Sequence, residues 1–262
     1  MHARSIPLSI HALFVVLLIA SCKKNNDDPS PSGVTSGPIT PSIDCQGGCN
    51  GETTVTDIDG NPYPVISIGG RCWMAANLRT SRYRDGSDIP HVPAGGVTGW
   101  LSGSEGWCNY DNDPGNDAVH GKLYNWAVVD DERGLCPQGW HVPTLAEWQE
   151  LETCLGMPAD ELWSTSGYRG IAQNVGGKLK ATTLWTSPNT GASNMSGFGA
   201  LPSGSRSGFP TSSAQFTGIG ETATWWARSA ITTHVAYNEA GVYRNYTTLY
   251  VNDGYCVRCV KD

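Results

Sequence analysis

Nine cysteines, a run of acidic residues and six histidines are the side chains of this 262-residue chain best suited to chemistry. A thiol can form a disulfide, hold a metal or attack an electrophile, and its surroundings decide which. Cys256 and Cys259 stand three apart; on an extended strand such positions face opposite ways, so a shared centre there needs a bulge or turn. Asp111-Asn-Asp-Pro-Gly-Asn-Asp117 brings three carboxylates onto one tight turn. Calcium takes six to eight oxygens, so Asp111, Asp113 and Asp117 are the candidate ligands of a structural calcium ion, with no other cofactor suggested. The loop lacks the glycine and closing glutamate of an EF-hand, and an Asx-rich turn with solvated carboxylates is the plainer reading. His141, beside Trp140 and just ahead of a helix, reads as a capping or core group. No H-E-x-x-H, G-x-S-x-G or phosphate-binding glycine loop is present, so hydrolase and nucleotide chemistry have no motif and no catalytic residue is expected.

The N-terminus bears on the compartment. Arg4 precedes an apolar run, Ala12–Ala20, which is far short of the roughly 20 residues of a membrane-spanning helix and reads as a signal peptide. The run ends in Ile19-Ala-Ser-Cys22, which resembles the bacterial lipobox. That resemblance implies cleavage before Cys22, a diacylglycerol on its thiol and an acyl chain such as palmitate on its new amine. Two or more chains hold a protein stably on a bilayer. The expected organisation is a lipoprotein signal peptide over 1–21, a lipidated N-terminus and flexible tether over 22–50, and a folded domain over 51–262. The Pro/Ser/Gly/Thr composition of residues 29–42 is that of a linker. Asp27-Asp28 resembles the acidic tract of surface-displayed lipoproteins in Bacteroidetes-type bacteria, so the expected location is the outer membrane of an exporting bacterium, with the membrane as partner through the lipid. The net charge of −7 argues against nucleic acid as a partner.

With Cys22 assigned to lipid, eight cysteines remain: Cys45, Cys49, Cys72, Cys108, Cys136, Cys154, Cys256 and Cys259. An even number in an exported chain reads as a disulfide set, although eight cysteines allow 105 pairings. Cys45 and Cys49 are near enough in sequence to close a small loop on each other.

The elements that must position these residues can be read in outline. Residues 53–70 predict two strands around an Asp59-Gly60-Asn61 turn. Thr144 and Glu147 have capping-box spacing, and Leu145, Trp148, Leu151 and Leu155 form one helical face that stops at Gly156. A second, shorter helix is predicted near Ile171–Val175, ending at Gly176-Gly177. Short runs at Thr182–Thr186, Ala223–Ser229, Val242–Thr248 and Tyr255–Val260 predict strands. Residues 79–120 read as a long, irregular loop. This order argues for an α+β domain. Ten tryptophans against four phenylalanines suggest that large aromatics replace an aliphatic core. Trp100, Trp107 and Trp163 lie in loop-like stretches, where an exposed indole can stack on a sugar.

Several blocks resemble the Fibrobacter succinogenes major paralogous (FISUMP) domain. They are Cys72-Trp-Met-Ala-Ala-Asn-Leu78, Leu123-Tyr-Asn-Trp126, Leu135-Cys-Pro-Gln-Gly-Trp-His-Val-Pro-Thr144, Gly177-Lys-Leu-Lys180, Gly199-Ala-Leu-Pro202, Trp225-Trp226 and Tyr255-Cys-Val-Arg-Cys-Val260. That family occurs in exported bacterial proteins, often lipoproteins, with no established biochemical activity. Pro143-Thr-Leu-Ala-Glu-Trp148 is also similar to the helix motif of formylglycine-generating enzymes, which implies a C-type-lectin-like core: a capped helix, a second short helix, a small twisted, mostly antiparallel sheet and long loops. The enzyme resemblance offers an alternative, an oxidase using Cys256 and Cys259. The lectin-like fold instead implies that these cysteines are stapled to different partners, with Cys136 and Cys154 as candidates. Asn252-Asp253 is similar to part of a calcium-lectin signature, but Val251 replaces its tryptophan and no Glu-Pro-Asn or Gln-Pro-Asp follows, so calcium-chelated sugar is disfavoured. The expected function is a non-enzymatic binding module for a glycan or a surface protein, with a structural surface component lacking a specific ligand as a further alternative.

Overall fold

The capping box is formed as the sequence spells it. The Thr144 hydroxyl accepts from the Glu147 amide, and the Glu147 carboxylate accepts from the Thr144 amide at 2.8 Å. The helix it starts runs Leu145–Cys154, and its Trp148 and Leu151 are wholly buried. The computed structural model describes residues 45, 47–93, 100, 104–208, 216–246 and 251–262, all within one compact unit. The predicted signal peptide, Cys22 and the tether to residue 44 lie outside the described residues.

Twelve strands are found among the described residues. β1 (Thr54–Thr56) and β2 (Pro62–Ile68) form the expected hairpin, with the Asp57 carboxylate accepting the Asp59 and Asn61 amides at 2.9 Å. β3 (Arg71–Met74) follows. β4 (Trp107–Cys108) and β5 (Leu123–Tyr124) pair, and β6 (Trp140–His141) precedes the capped helix. The C-terminal half supplies β7 (Ser203–Arg206), β8 (Phe216–Ile219), β9 (Thr222–Ala227), β10 (Ile231–Ala236), β11 (Tyr243–Tyr246) and β12 (Val260–Lys261). One sheet has the order β1-β2-β3-β12-β6 and a second β11-β10-β9-β7-β8. Residues 254–256 connect β5 to β9 through the Tyr124↔Tyr255 and Trp225↔Cys256 bridges. The helices are α1 (Asp117–His120), α2 (Trp126–Val129), α3 (Leu145–Cys154) and α4 (Val175–Leu179). Few helices and mainly antiparallel sheets make this a mixed α+β fold.

The core is aromatic. Trp73, Trp148, Phe198 and Trp225 pack with ring centroids 5.0–6.3 Å apart where β3, α3 and β9 meet. Each such ring buries on the order of 150–250 Å², so four of them do the work of a larger aliphatic cluster. Of the loop tryptophans, Trp100 is buried, Trp107 is half-buried against His91, and Trp163 is 68% exposed.

Several expectations are corrected. The second helix covers 175–179 rather than 171–175, so Gly176 and Gly177 sit inside it. They permit close approach instead of stopping the helix: a Cβ on Gly176 would lie 2.0 Å from the Gly241 oxygen, and one on Gly177 would lie 2.2 Å from the Gly191 oxygen. Thr182–Thr186 is not a strand; apart from Trp185 its side chains are exposed, leaving no alternating buried face. Residues 255–260 are not one strand either, because 257–259 break the ladder before β12.

The disulfide pattern also differs. Cys45 pairs with Cys154, Cys49 with Cys72, and Cys136 with Cys259, so Cys45 and Cys49 do not close a loop on each other. Cys154 takes Cys45 as partner, away from both C-terminal cysteines. Cys108 and Cys256 are buried free thiols, so the set is six bonded cysteines and two reduced ones among the described residues. The two bonds from residues 45 and 49 carry the covalent frame of the domain N-terminal to residue 51, inside the segment expected to be tether.

Candidate functional site

Strand parity divides β9, β10 and β11 into two faces. Trp225 on β9 and Arg244 on β11 point toward α3, where Trp225 meets Trp148 and Arg244 Nη2 donates to Glu152 at 2.7 Å. The alternate residues therefore point away from the helix. In register these are Thr224 opposite His234 opposite Tyr243, and Trp226 opposite Thr232 opposite Asn245. This outer face carries a groove of about 350 Å³, lined by Tyr168, Thr224, Thr232, His234, Tyr243, Asn245 and Tyr255. Ligand pockets start near ~300 Å³, so there is room for one small ring system or one unit of a longer chain.

The walls of the groove are held from behind. Arg169, next to Tyr168, pairs with Val242 in a two-way backbone bridge at 2.9 Å and turns its guanidinium to the Glu152 carboxylate at 2.8 and 2.9 Å. Arg244, between Tyr243 and Asn245, reaches the same carboxylate. Glu152 is fully buried, and its two guanidinium partners are 0–1% exposed, so one carboxylate fixes both tyrosine walls. The arrangement follows from alternation: a residue whose neighbour is anchored inward must itself face out.

Three rings form a corner. Tyr168 and Tyr243 have centroids 5.7 Å apart with planes tilted 54°, and His234 lies 6.1 Å from Tyr168 and 6.4 Å from Tyr243. A second aromatic cluster borders it, where Tyr255 packs edge-on to Trp226 at 4.9 Å and Trp126 packs on the same indole at 5.4 Å. His234 Nδ1 is 2.8 Å from the Thr224 hydroxyl, and burial holds its imidazole near a pKa of about 4, so it is neutral at physiological pH. Burial also pushes the Tyr168 phenol up to about 12, the nearby Glu239 and Tyr243 adding to the shift. No hydrogen-bond partner is found among the described residues for the Tyr168 and Tyr243 hydroxyls or the Asn245 amide. Asp253, buried beside the groove, accepts from the Tyr255 hydroxyl at 2.7 Å and the Gly208 amide at 2.6 Å.

The residues singled out from sequence fall elsewhere. Cys259 is tied to Cys136, which removes the thiol pair that the oxidase alternative requires. Cys256 is enclosed, 3.2 Å from the Ser203 hydroxyl, and burial pushes its thiol, like that of Cys108, up to about 11. Neither is a thiolate at neutral pH, so neither is a ready nucleophile. Asp113 caps the turn at Gly115 (2.8 Å) and Asp117 pairs with Lys122 (2.7 Å), and no group of three acidic, histidine or cysteine side chains able to hold a metal ion is found among the described residues. His141 bridges Glu147 at 2.9 Å and the side chain of Asp262 at 2.6 Å. The groove residues were not anticipated as a set. Their signal, polar and aromatic residues at Thr232-x-His234 and Tyr243-x-Asn245, becomes readable only once the strand register is known.

Comparison with known proteins places the chain at the level of family. No curated protein matches the chain, and neither does any solved structure. A family model does match, the Fibrobacter succinogenes major domain, over residues 66–261, a span that takes in β3 to β12 and every groove residue. The chain belongs to the Fibrobacter succinogenes major domain family.

Proposed function

We propose that this protein is a lipid-anchored component of the bacterial cell envelope that displays a disulfide-stapled, lectin-like domain as a non-enzymatic binding module for a glycan or protein. The observation that carries the reading is the groove: an aromatic-cornered concavity on the sheet, where the Tyr168 and Tyr243 hydroxyls and the Asn245 amide find no partner among the described residues while the walls are clamped by a buried ion cluster. A surface with only a structural role gains nothing from unpaired polar groups held so firmly. The lectin-like frame is supported by the Cys136–Cys259 bond, which ties the segment before α3 to the C-terminal segment. Export is supported by three disulfides and by the lipobox-like Ile19-Ala-Ser-Cys22.

The full-length protein, solubilised in detergent, is to be screened on glycan and surface-protein arrays beside a Tyr243→Ala variant. Binding that is lost in the variant supports the module. Silence of the wild type on every array counts against it and favours the structural alternative. Anchoring is tested separately: Cys22→Ala should release the protein from membranes or block processing, and unchanged retention contradicts a lipid anchor.

A further inference from the structure

The chemistry of the groove narrows its ligand, an inference that rests on the groove being the binding site. Each of its lining side chains carries a hydroxyl, an amide or an imidazole; none is aliphatic, and none is a carboxylate, an ammonium or a guanidinium group. An acidic or basic ligand would lose water there and meet no countercharge, which is costly. An aliphatic side chain would find no aliphatic wall. What fits is a molecule with one apolar face and a rim of groups that both donate and accept hydrogen bonds.

We propose that the groove takes an uncharged pyranose ring of a glycan, bound directly and without a metal ion. The apolar C–H face of such a ring can lie on an aromatic face. The Tyr168 and Tyr243 centroids, 5.7 Å apart, leave too little room for a ring between them, since two contact distances need about 7 Å. The sugar therefore lies in the corner, with one tyrosine as floor and the other as wall. Asn245 offers an acceptor and two donors and each tyrosine hydroxyl offers both roles, which matches the hydroxyl rim. Two carboxylates stand outside the lining: Glu239 acts on Tyr168, and Asp253 is committed to Tyr255 and Gly208.

Titration calorimetry on the full-length protein in detergent tests this. The probes are neutral trisaccharides of gluco, manno and galacto configuration, a uronic-acid trimer and a sialylated trisaccharide. At least one neutral probe should bind, equally well with and without a chelator and at low and high salt. Tyr243→Ala should weaken it by about tenfold or more. Asn245→Ala should weaken it several-fold, and Tyr246→Ala, on the opposite parity of β11, should leave it unchanged. If Tyr243→Ala fails to melt cooperatively, Tyr243→Phe and Asn245→Ala carry the test. Preference for a charged probe, lost in the groove variants, overturns the neutral-sugar inference and leaves the groove as the site. Protein binding that falls in Tyr243→Ala, with no sugar bound, does the same. Neutral-sugar binding indifferent to both groove variants overturns the inference and the groove reading together.

Discussion

At the residue scale the molecule turns on a few buried charges, and Glu152 is the most consequential. It accepts from Arg169 and Arg244 with no exposure of its own. Removing one partner of a buried ion pair costs about 3–5 kcal/mol because the remaining charge is stranded. Glu152→Gln strands two guanidinium groups, so a loss at the upper end of that range is expected in urea denaturation, and a loss under ~1 kcal/mol would contradict the clamp. The same variant should weaken any groove ligand, since both tyrosine walls are fixed through it. His141 supplies a pH-dependent contact. Its hydrogen bond to Glu147, aided by Asp262, raises the imidazole above its ordinary value of 6.5, and Arg71 lies 3.0 Å from the same Glu147 carboxylate. A raised value means that the stabilisation is fully present below about pH 6.5 and fades as pH rises through the higher folded value. His141→Gln should therefore destabilise more at about pH 5.5 than at about pH 8.5, as read by urea midpoints. An equal effect at both would show that the charge plays no part.

At the scale of elements, some were legible because their signals are local. The α3 start needed only Thr144, Glu147 and a stripe of apolar residues, all within about three turns, and the β1–β2 turn needed only the Asp57–Asn61 run. The α4 boundaries were not legible, since the glycines that looked like a stop answer to Gly241 and Gly191, which are distant in sequence. Gly176→Ala should accordingly cost about 3 kcal/mol or more through backbone overlap. Gly139→Ala, with open space around it and φ of +77°, should cost only about 1–2 kcal/mol through conformation. Comparable thermal shifts for the two would contradict the close-packing account. The groove was illegible for a related reason. Thr232, His234, Tyr243 and Asn245 become one surface only through the β9-β10-β11 register, and Tyr168 joins them only through the Arg169–Val242 bridge. The resemblance to the FISUMP domain did identify the family, because its motif blocks mark the fold's own joints: Asn77, for example, accepts from Trp225 Nε1 and Arg258 Nε, each at 2.8 Å.

At the scale of the whole molecule, two disulfides fasten residues 45 and 49 to the rest of the domain, Cys45 to Cys154 and Cys49 to Cys72. Cys154 ends α3, which packs on the inner face of the sheet, and Cys45 is bonded to it. A chain beginning at residue 51 loses both Cys45 and Cys49 and leaves Cys72 and Cys154 unpaired. A disulfide that closes a long loop contributes about 2–4 kcal/mol, so thermal denaturation should show the 51–262 fragment well below the 42–262 fragment in Tm. Equal melts would place the boundary at 51 after all. The groove lies on the face of the β9-β10-β11 sheet opposite the one on which α3 packs. The most direct test of the central claim is oxidative footprinting of the full-length protein with and without the neutral trisaccharide that binds most tightly. Protection centred on Tyr168 and Tyr243, with exposed Trp163 unchanged, is the predicted result. Protection of Trp163 with both tyrosines unchanged would contradict the account.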